Sequence, residues 1–110
     1  MLAKTIENEG LTMTIEKILN GNELTIALTG RMDTTTAPKL EAELKQSIGG
    51  VALLVLDFAG LAYLSSAGLC VLLGAQKIMN KQGKMIVRNV NETIAEIFEV
   101  TGFADVLTIE

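Results

Sequence analysis

The sequence predicts a single α/β domain, residues 1–110, with a mixed, mostly parallel sheet, an opening β-hairpin and helices mainly on one face. The chain has 110 residues, which leaves room for one hydrophobic core. Apolar residues make up 49% of it and charged residues 20%, a composition typical of globular proteins. Strand-like runs alternate with helical runs in the order ββαβαβαβ, which favours parallel strands joined by right-handed crossovers.

Two strand-like runs open the chain, at 12–19 and 23–29, and each carries apolar residues at mostly alternating positions. Asn20-Gly21 between them supplies the positive φ angles of a tight hairpin turn. Gly30 ends the second run, and 33–36 is predicted as a loop. The two strands are therefore expected to be antiparallel.

A helix is predicted next, with Pro38 in its first turn, where the missing N–H costs nothing. Leu40, Leu44 and Ile48 recur at helical spacing, so they predict one buried face. Gly49-Gly50 ends this helix.

The continuous apolar run 51–56 predicts a buried strand over 51–57, near the middle of the sheet, followed by a short loop and a helix over 66–82. On hydropathy alone, 51–75 could also be a membrane helix. Asp57 would then lie in the hydrocarbon at a cost of about 2.5–3.5 kcal/mol, and Gly60 would interrupt the helix. Strand, loop and helix explain the pattern better, and no membrane insertion is predicted.

The last third of the chain is predicted as strand, helix and strand. The first strand covers 84–88, and Asn89 or Asn91 caps the helix that follows. Gly102 ends that helix. A final strand is predicted over 104–109.

The composition excludes several classes of function. His is absent, which excludes His-based triads, His-ligated metals and imidazole acid–base chemistry. Nine basic residues against thirteen acidic ones give a net charge of −4 without a basic stripe, so no nucleic acid partner is predicted. Phosphate-binding glycine motifs are absent and the carboxylates are scattered, so we predict no enzymatic activity, no metal and no cofactor.

Cys70, the only cysteine, lies in an apolar helical run, where a packing role is favoured over a nucleophilic one. One thiol cannot form an internal disulfide. The N-terminal segment also lacks the apolar stretch of a signal peptide. The expected location is therefore a reducing cytoplasm.

Two adjacent serines, Ser65 and Ser66, stand at the start of the helix predicted over 66–82. One serine suffices to cap a helix, and capping alone is the favoured interpretation on these residues by themselves. The small residues Ala67 and Gly68 are expected to leave the helix start sterically open. A phosphate added there would be stabilised by free N–H groups and the helix dipole.

Projecting this helix at 100° per residue predicts which side chains face outward. The second half of the helix places Gln76, Lys77, Asn80 and Lys81 outward and Ala75, Ile78 and Met79 inward. The first half carries four residues on the outward arc: Ser66, Leu69, Cys70 and Leu73. Apolar side chains beside a hydroxyl on this arc indicate either a docking surface or a patch covered by a loop or chain terminus.

Two motifs then identify a resemblance. The segment 28–33, L-T-G-R-M-D, is similar to a G-x-[LIM]-D loop, and 63–69, Y-L-S-S-A-G-L, is similar to a D-S-[SA]-G-L phosphorylation motif. The turn at 100–103 also fits. From 11 to 109 the chain resembles a stand-alone STAS domain of the bacterial anti-sigma factor antagonist group.

The resemblance implies a phosphorylation-switched binding module in which Ser66 is the phosphoacceptor. Ser65, which stands where the family often has Asp, is the runner-up. The implied partner is an anti-sigma factor serine kinase with a histidine-kinase-like ATPase fold, bound by the unphosphorylated form, and a PP2C-type phosphatase resets the switch. The expected partner-binding residues are Arg31, Asp33, Thr34, Ser65, Ser66, Leu69, Cys70 and Leu73.

A second hypothesis from the same resemblance is an accessory or scaffold subunit of an envelope or lipid-transport complex, without regulation by phosphorylation. The presence of a phosphorylated form distinguishes the two. A nucleotide ligand has less support, because the sequence provides no phosphate cradle.

Overall fold

The computed structural model describes residues 2–7 and 13–110, which form a five-stranded sheet and three α-helices. The elements, in chain order, are β1 (Leu2–Glu7), β2 (Met13–Asn20), β3 (Glu23–Met32), α1 (Ala37–Ser47), β4 (Leu53–Leu64), α2 (Ser66–Gln82), β5 (Lys84–Arg88) and α3 (Glu92–Thr101). The strands are ordered β1-β2-β3-β4-β5. β1, β2 and β3 pair antiparallel, whereas β3-β4 and β4-β5 are parallel, so the predicted mixed sheet is confirmed.

The opening hairpin is confirmed, with Gly21 at φ 64° in its turn. Thr12, with which the predicted strand begins, lies outside the described residues. β1 was not predicted, because its Ala, Lys and Glu residues are poor strand formers and its pairing with β2 decides its conformation.

β4 is longer than predicted, and the loop expected after Asp57 is wrong. The strand continues to Leu64 because it carries two bulges, each inserting one extra residue opposite β3. The bulges break the two-residue alternation by which a strand is recognised in sequence. The buried side chains of this half of β4 are therefore three residues apart, at Phe58, Leu61 and Leu64.

The strand predicted over 104–109 is also wrong. Gly102 ends α3 in the left-handed conformation, at φ 81°, and 103–105 form a 3-10 turn. Beyond it only Ile109 forms a bridge, parallel to Val87, with the Val87 N–H donating to the Thr108 carbonyl at 2.9 Å. Because residues 103–105 form this turn, they cannot pair with β5. The pairing of the C-terminal segment with β5 is therefore limited to one bridge.

Asn91, one of the two predicted caps, caps α3. Its Oδ1 accepts from the Ile94 N–H at 2.9 Å. Asn89 instead has a positive φ of 59°, and its side-chain amide donates to Asp57 Oδ1 at 3.0 Å. The two asparagines therefore fix opposite sides of the turn between β5 and α3.

The core lies between one face of the sheet and the helices. α1 is joined to that face by Lys17, whose Nζ lies 2.8 Å from both Glu43 Oε2 and Ser47 Oγ. α3 packs on it through Phe58 and Phe98, with ring centroids 6.5 Å apart. The prediction that helices lie mainly on one face is confirmed. The strand residues buried there include Met13, Ile15, Leu24, Ile26, Leu28, Leu54, Leu56, Phe58, Met85 and Val87.

The membrane alternative for 51–75 is not supported. That segment is a strand followed by a helix, and within residues 2–7 and 13–110 no helix has the length and apolar character needed to cross a bilayer.

Candidate functional site

The start of α2 gives its two serines different environments. Ser65 is the N-cap, with extended backbone at φ −91° and ψ 175°, and its Oγ accepts from the Gly68 N–H at 3.5 Å. Its own N–H donates to the Met32 carbonyl at 2.8 Å, which joins the helix start to the end of β3. Ser66 is the first helical residue and is exposed. Capping therefore engages Ser65, whereas Ser66 beside it is exposed.

The first turn of α2 contains no acidic side chain, although α2 is 17 residues long. α3, in contrast, carries Glu92 in its first turn. Unpaired N–H groups and the helix dipole favour negative charge at such a position. The α2 N-terminus can thus accommodate an added anion.

Gly68 has a packing role that the sequence interpretation missed. A Cβ at this position would lie 2.4 Å from Leu64 Cδ1 and 2.7 Å from Met32 Sδ, so only glycine lets the helix approach the strand ends this closely. The expectation that Gly68 leaves the helix start sterically open is therefore wrong. Its small size holds Ser66 close to the end of the sheet.

Of the four residues predicted to face outward in the first half of α2, the helical projection is correct for three and wrong for Leu69. Cys70 is exposed and Leu73 half-buried, but Leu69 is only 6% exposed and belongs to the core. Gln76, predicted outward, is 8% exposed, whereas Ile78, predicted inward, is 42% exposed. Because α2 packs closely on the strand ends at Gly68, the buried side of the helix extends to Leu69. Leu69 is therefore not part of the predicted surface.

The loop before α1 is folded around Asp33. Its Oδ1 accepts from the Thr35 hydroxyl at 2.7 Å, the Thr35 N–H at 2.9 Å and the Thr36 N–H at 3.2 Å. The hydrogen bonds from Thr35, side chain first and then backbone, hold the pKa of Asp33 below its usual value. Asp33 therefore shapes the loop that it was predicted to present to a partner.

Thr36 is a buried polar residue that the sequence pattern did not indicate. It is the N-cap of α1, yet its hydroxyl makes no capping hydrogen bond. The hydroxyl instead donates to the Arg31 carbonyl at 2.8 Å and accepts from the Asp33 N–H at 2.8 Å. Because it is fully buried, these two bonds fix the loop from inside.

Arg31 and Tyr63 are stacked at the adjacent ends of β3 and β4. The residues are paired in register, and the guanidinium carbon lies 4.4 Å from the ring centroid. This cation–π contact holds the exposed Arg31 cation on a ring that lies three residues before Ser66 in the chain. Tyr63 was not predicted as a site residue; its place in the 63–69 motif is the signal that could have indicated it.

A groove of about 220 Å³ separates the start of α1 from the start of α2. It brings together Thr34 and Cys70, two of the predicted site residues. The groove is lined by Thr34, Ala37, Pro38, Glu41, Ala67, Cys70 and Val71. Thr34 of the 31–36 loop and Cys70 of α2 therefore border one groove. We call the exposed side of this loop and of the first half of α2 the loop–helix surface.

The family model of the STAS domain matches residues 13–110. The chain belongs to the STAS domain family.

Among curated relatives of this STAS domain is the putative anti-sigma factor antagonist BtrV of Bordetella bronchiseptica, 34% identical over 101 residues, which cover 90% of the chain and 85% of BtrV. The anti-sigma-B factor antagonist of Bacillus subtilis is 30% identical over 91 residues, which cover 82% of the chain and 84% of that protein. These relatives match along most of both chains.

Solved structures share the fold of this STAS domain. An anti-sigma factor antagonist from Mycobacterium paratuberculosis superposes with a TM-score of 0.81 at 20% identity, over 89% of this chain and 85% of that one. The unphosphorylated form of SpoIIAA superposes with a TM-score of 0.76 at 20% identity, over 87% of each chain.

Within residues 2–7 and 13–110, no group of three or more His, Cys, Asp or Glu side chains lies close enough together to hold a metal ion. Asp57, the acidic residue at the end of the apolar run, contacts protein groups. Its Oδ1 accepts from the Ala59 N–H at 3.0 Å, and Arg88 Nε lies 3.7 Å from Oδ2.

Proposed function

We propose that this chain is an anti-sigma factor antagonist whose binding is switched by phosphorylation of Ser66. Unphosphorylated, it binds an anti-sigma factor serine kinase of the histidine-kinase-like ATPase fold through the loop–helix surface. Phosphate on Ser66 ends the complex, and a PP2C-type phosphatase restores the binding form.

The observation that carries this proposal is the division of roles between the two serines. A kinase needs a hydroxyl that it can reach, and Ser66 is exposed at the first position of α2. Ser65 is half-buried and its oxygen faces the Gly68 N–H. The relatives named as anti-sigma factor antagonists support the choice of partner.

The proposed contact residues on the loop–helix surface are those that remain accessible. Arg31 and Thr34 are exposed on the loop, and Asp33 keeps one carboxylate oxygen, Oδ2, outside the three loop hydrogen bonds. On α2, Cys70 is exposed and Leu73 half-buried, one and two turns beyond Ser66. Leu69 supports this surface from the core and makes no direct contact in the proposal.

The switch follows from where the new charge lies. A phosphate on Ser66 adds about −1.5 to −2 charge at neutral pH. The helix dipole and free N–H groups stabilise this anion in the isolated domain, so the fold stays unchanged. In the complex, the same anion would have to be desolvated beside Leu73 and the partner, so affinity falls.

Incubation with the cognate kinase and ATP, followed by mass spectrometry, tests the phosphoacceptor. We expect phosphate on Ser66 in the wild type and in Ser65→Ala, and none in Ser66→Ala. Ser65→Ala is the matched control because it removes the neighbouring hydroxyl. Its loss of stability should lie near the lower end of about 0.5–2 kcal/mol, since the capping bond is long.

Binding of the kinase, measured by calorimetry, tests the switch. Ser66→Ala should bind like the wild type, whereas Ser66→Asp should bind more weakly, because a charge enters the interface. Phosphate on Ser65 alone overturns the assignment. Phosphate on neither serine, with wild-type and Ser66→Asp proteins binding alike, overturns the switch and supports an accessory role without phosphorylation.

A further inference from the structure

The sheet has a second face that none of the helices in residues 2–7 and 13–110 covers. Before the bulges of β4, alternate residues of β2, β3, β4 and β5 face the helices, among them Ile15, Ile26, Leu56 and Val87, and the residues between them point the other way. We call this side the open face. Five apolar or threonine residues on the open face are half-buried: Ile18, Thr25, Ala27, Leu53 and Ile86.

The strand register arranges the open face in rows that cross the sheet. The central row runs Ile18, Thr25, Val55, Ile86 from β2 to β5. Three of these four side chains are aliphatic and the fourth carries a methyl group. Val55, inside the row, is 5% exposed. The row is therefore an apolar strip across the middle of an uncovered sheet.

The next row carries opposite charges on β2 and β5. It runs Glu16, Ala27, Asp57, Arg88 from β2 to β5, and β1 continues the sheet beyond Glu16; Glu16 and Arg88 are both exposed. The row on the other side of the apolar strip runs Asn20, Glu23, Leu53, Lys84 from β2 to β5, so it carries an exposed acid on β3 and ends at Lys84. The β2 side of the open face is thus acidic at Glu16 and the β5 side is basic.

When two copies are related by a suitable two-fold axis, the charges of one open face meet opposite charges on the other. An axis parallel to the strands, between β3 and β4, places Ile18 over Ile86 of a second copy and Glu16 over its Arg88. An axis perpendicular to the strands would instead place Arg88 opposite Lys84 of the second copy, two like charges. Facing sheets lie about 10 Å apart, so long side chains from both sides meet.

We propose that the open face binds the open face of a second copy of this chain, with the two-fold axis parallel to the strands. The apolar strip forms the centre of this isologous interface, and two symmetry-related Glu16–Arg88 pairs form its rim. The helices lie on the opposite face of the sheet, so α2 and the groove beside it stay free in the dimer. The inference therefore goes beyond the proposed partner switch and does not depend on it.

Mixing two charge variants tests this geometry by sedimentation equilibrium at low salt. Glu16→Arg carries cations at both rim positions and Arg88→Glu carries anions at both, so each variant repels its own copy. We expect the self-association constant of each to fall by about tenfold or more. An equimolar mixture contains two attractive pairs per heterodimer, so it should regain the wild-type association.

Lys77→Glu is the control, because Lys77 is exposed on α2 and the substitution changes the net charge by the same amount as Arg88→Glu. It should leave the association constant unchanged. Arg88→Glu also places a second carboxylate next to that of Asp57, so its fold is checked by a thermal melt. If Arg88→Glu does not fold, the self-association constant of Glu16→Arg alone still tests the proposal.

Three results would overturn the proposal: a wild-type chain that stays monomeric at all concentrations, a Glu16→Arg variant that associates like the wild type, or folded variants whose mixture does not regain association. None of these measurements involves the kinase or Ser66. Failure of the dimer is therefore distinguishable from failure of the phosphorylation switch.

Discussion

The buried hydroxyl of Thr36 holds the backbone of the 31–36 loop, whose exposed residues belong to the loop–helix surface. A threonine before a proline-containing first turn is usually interpreted as a helix cap. In this chain the Thr36 hydroxyl joins the Arg31 carbonyl to the Asp33 N–H instead. The three residues on which the loop depends are thus held in one arrangement, and Thr36 acts as a positioning residue for the proposed partner contacts.

Thr36→Val removes this hydroxyl while keeping the side-chain shape. We expect the free energy of unfolding to fall by about 1–3 kcal/mol, because two buried polar groups lose their partner. The Asp33 amide should also exchange with solvent faster. Thr36→Ser keeps the hydroxyl and should largely restore both values. Urea unfolding and hydrogen exchange measure them, and a Val variant equal to the wild type in both would contradict this role.

Among the secondary-structure elements, α2 was predicted with its boundaries, whereas β4 was predicted only to Asp57. The α2 signals are local, since a serine precedes the helix and Gly83 follows it. The strand conformation of the bulged part of β4 depends on its pairing with β3, for example that of Gly60 with Thr29. The position of Ser66 could therefore be predicted from sequence. The burial of Leu69 could not, because it results from contacts between distant segments.

Two glycines of α2 test the close packing of this helix. Gly68→Ala would place a methyl group against Leu64 and Met32, so we expect a loss of about 1–3 kcal/mol in the free energy of unfolding. A methyl group at Gly74 would meet no atom within 4 Å beyond its chain neighbours and the local helix backbone, and Gly74→Ala should gain about 0.5–1 kcal/mol from helix propensity.

Chemical denaturation of both alanine variants measures these changes. A Gly68→Ala variant as stable as Gly74→Ala would mean that α2 does not pack tightly on the strand ends.

At the scale of the whole molecule, two carboxylates among residues 13–110 link stability to acid pH. Burial raises the pKa of Asp57, but hydrogen bonds from Asn89 and Ala59 and the charge of Arg88 outweigh it, so the pKa lies below its usual value. The pKa of Asp33 is lowered by its loop hydrogen bonds. A depressed pKa in the folded state stabilises the fold above the ordinary value of 3.8, and this stabilisation is lost as the pH falls through the lowered value.

We therefore expect the urea midpoint to fall steeply below about pH 4 in the wild type. The double variant Asp33→Asn/Asp57→Asn should show a shallower fall, because both linked carboxylates are gone. Asp105→Asn, which removes an exposed carboxylate, is the control and should keep the wild-type slope. Parallel curves for the double variant and the wild type would refute the linkage.

The stacking of Arg31 on Tyr63 provides the chain with a natural optical probe. The sequence contains one tyrosine and no tryptophan, so all tyrosine fluorescence originates from this ring. The ring lies beside the proposed partner surface, under a guanidinium 4.4 Å away. Any event that draws Arg31 toward a phosphate or a docking protein changes the surroundings of the fluorophore, so unlabelled protein reports its own state through its emission.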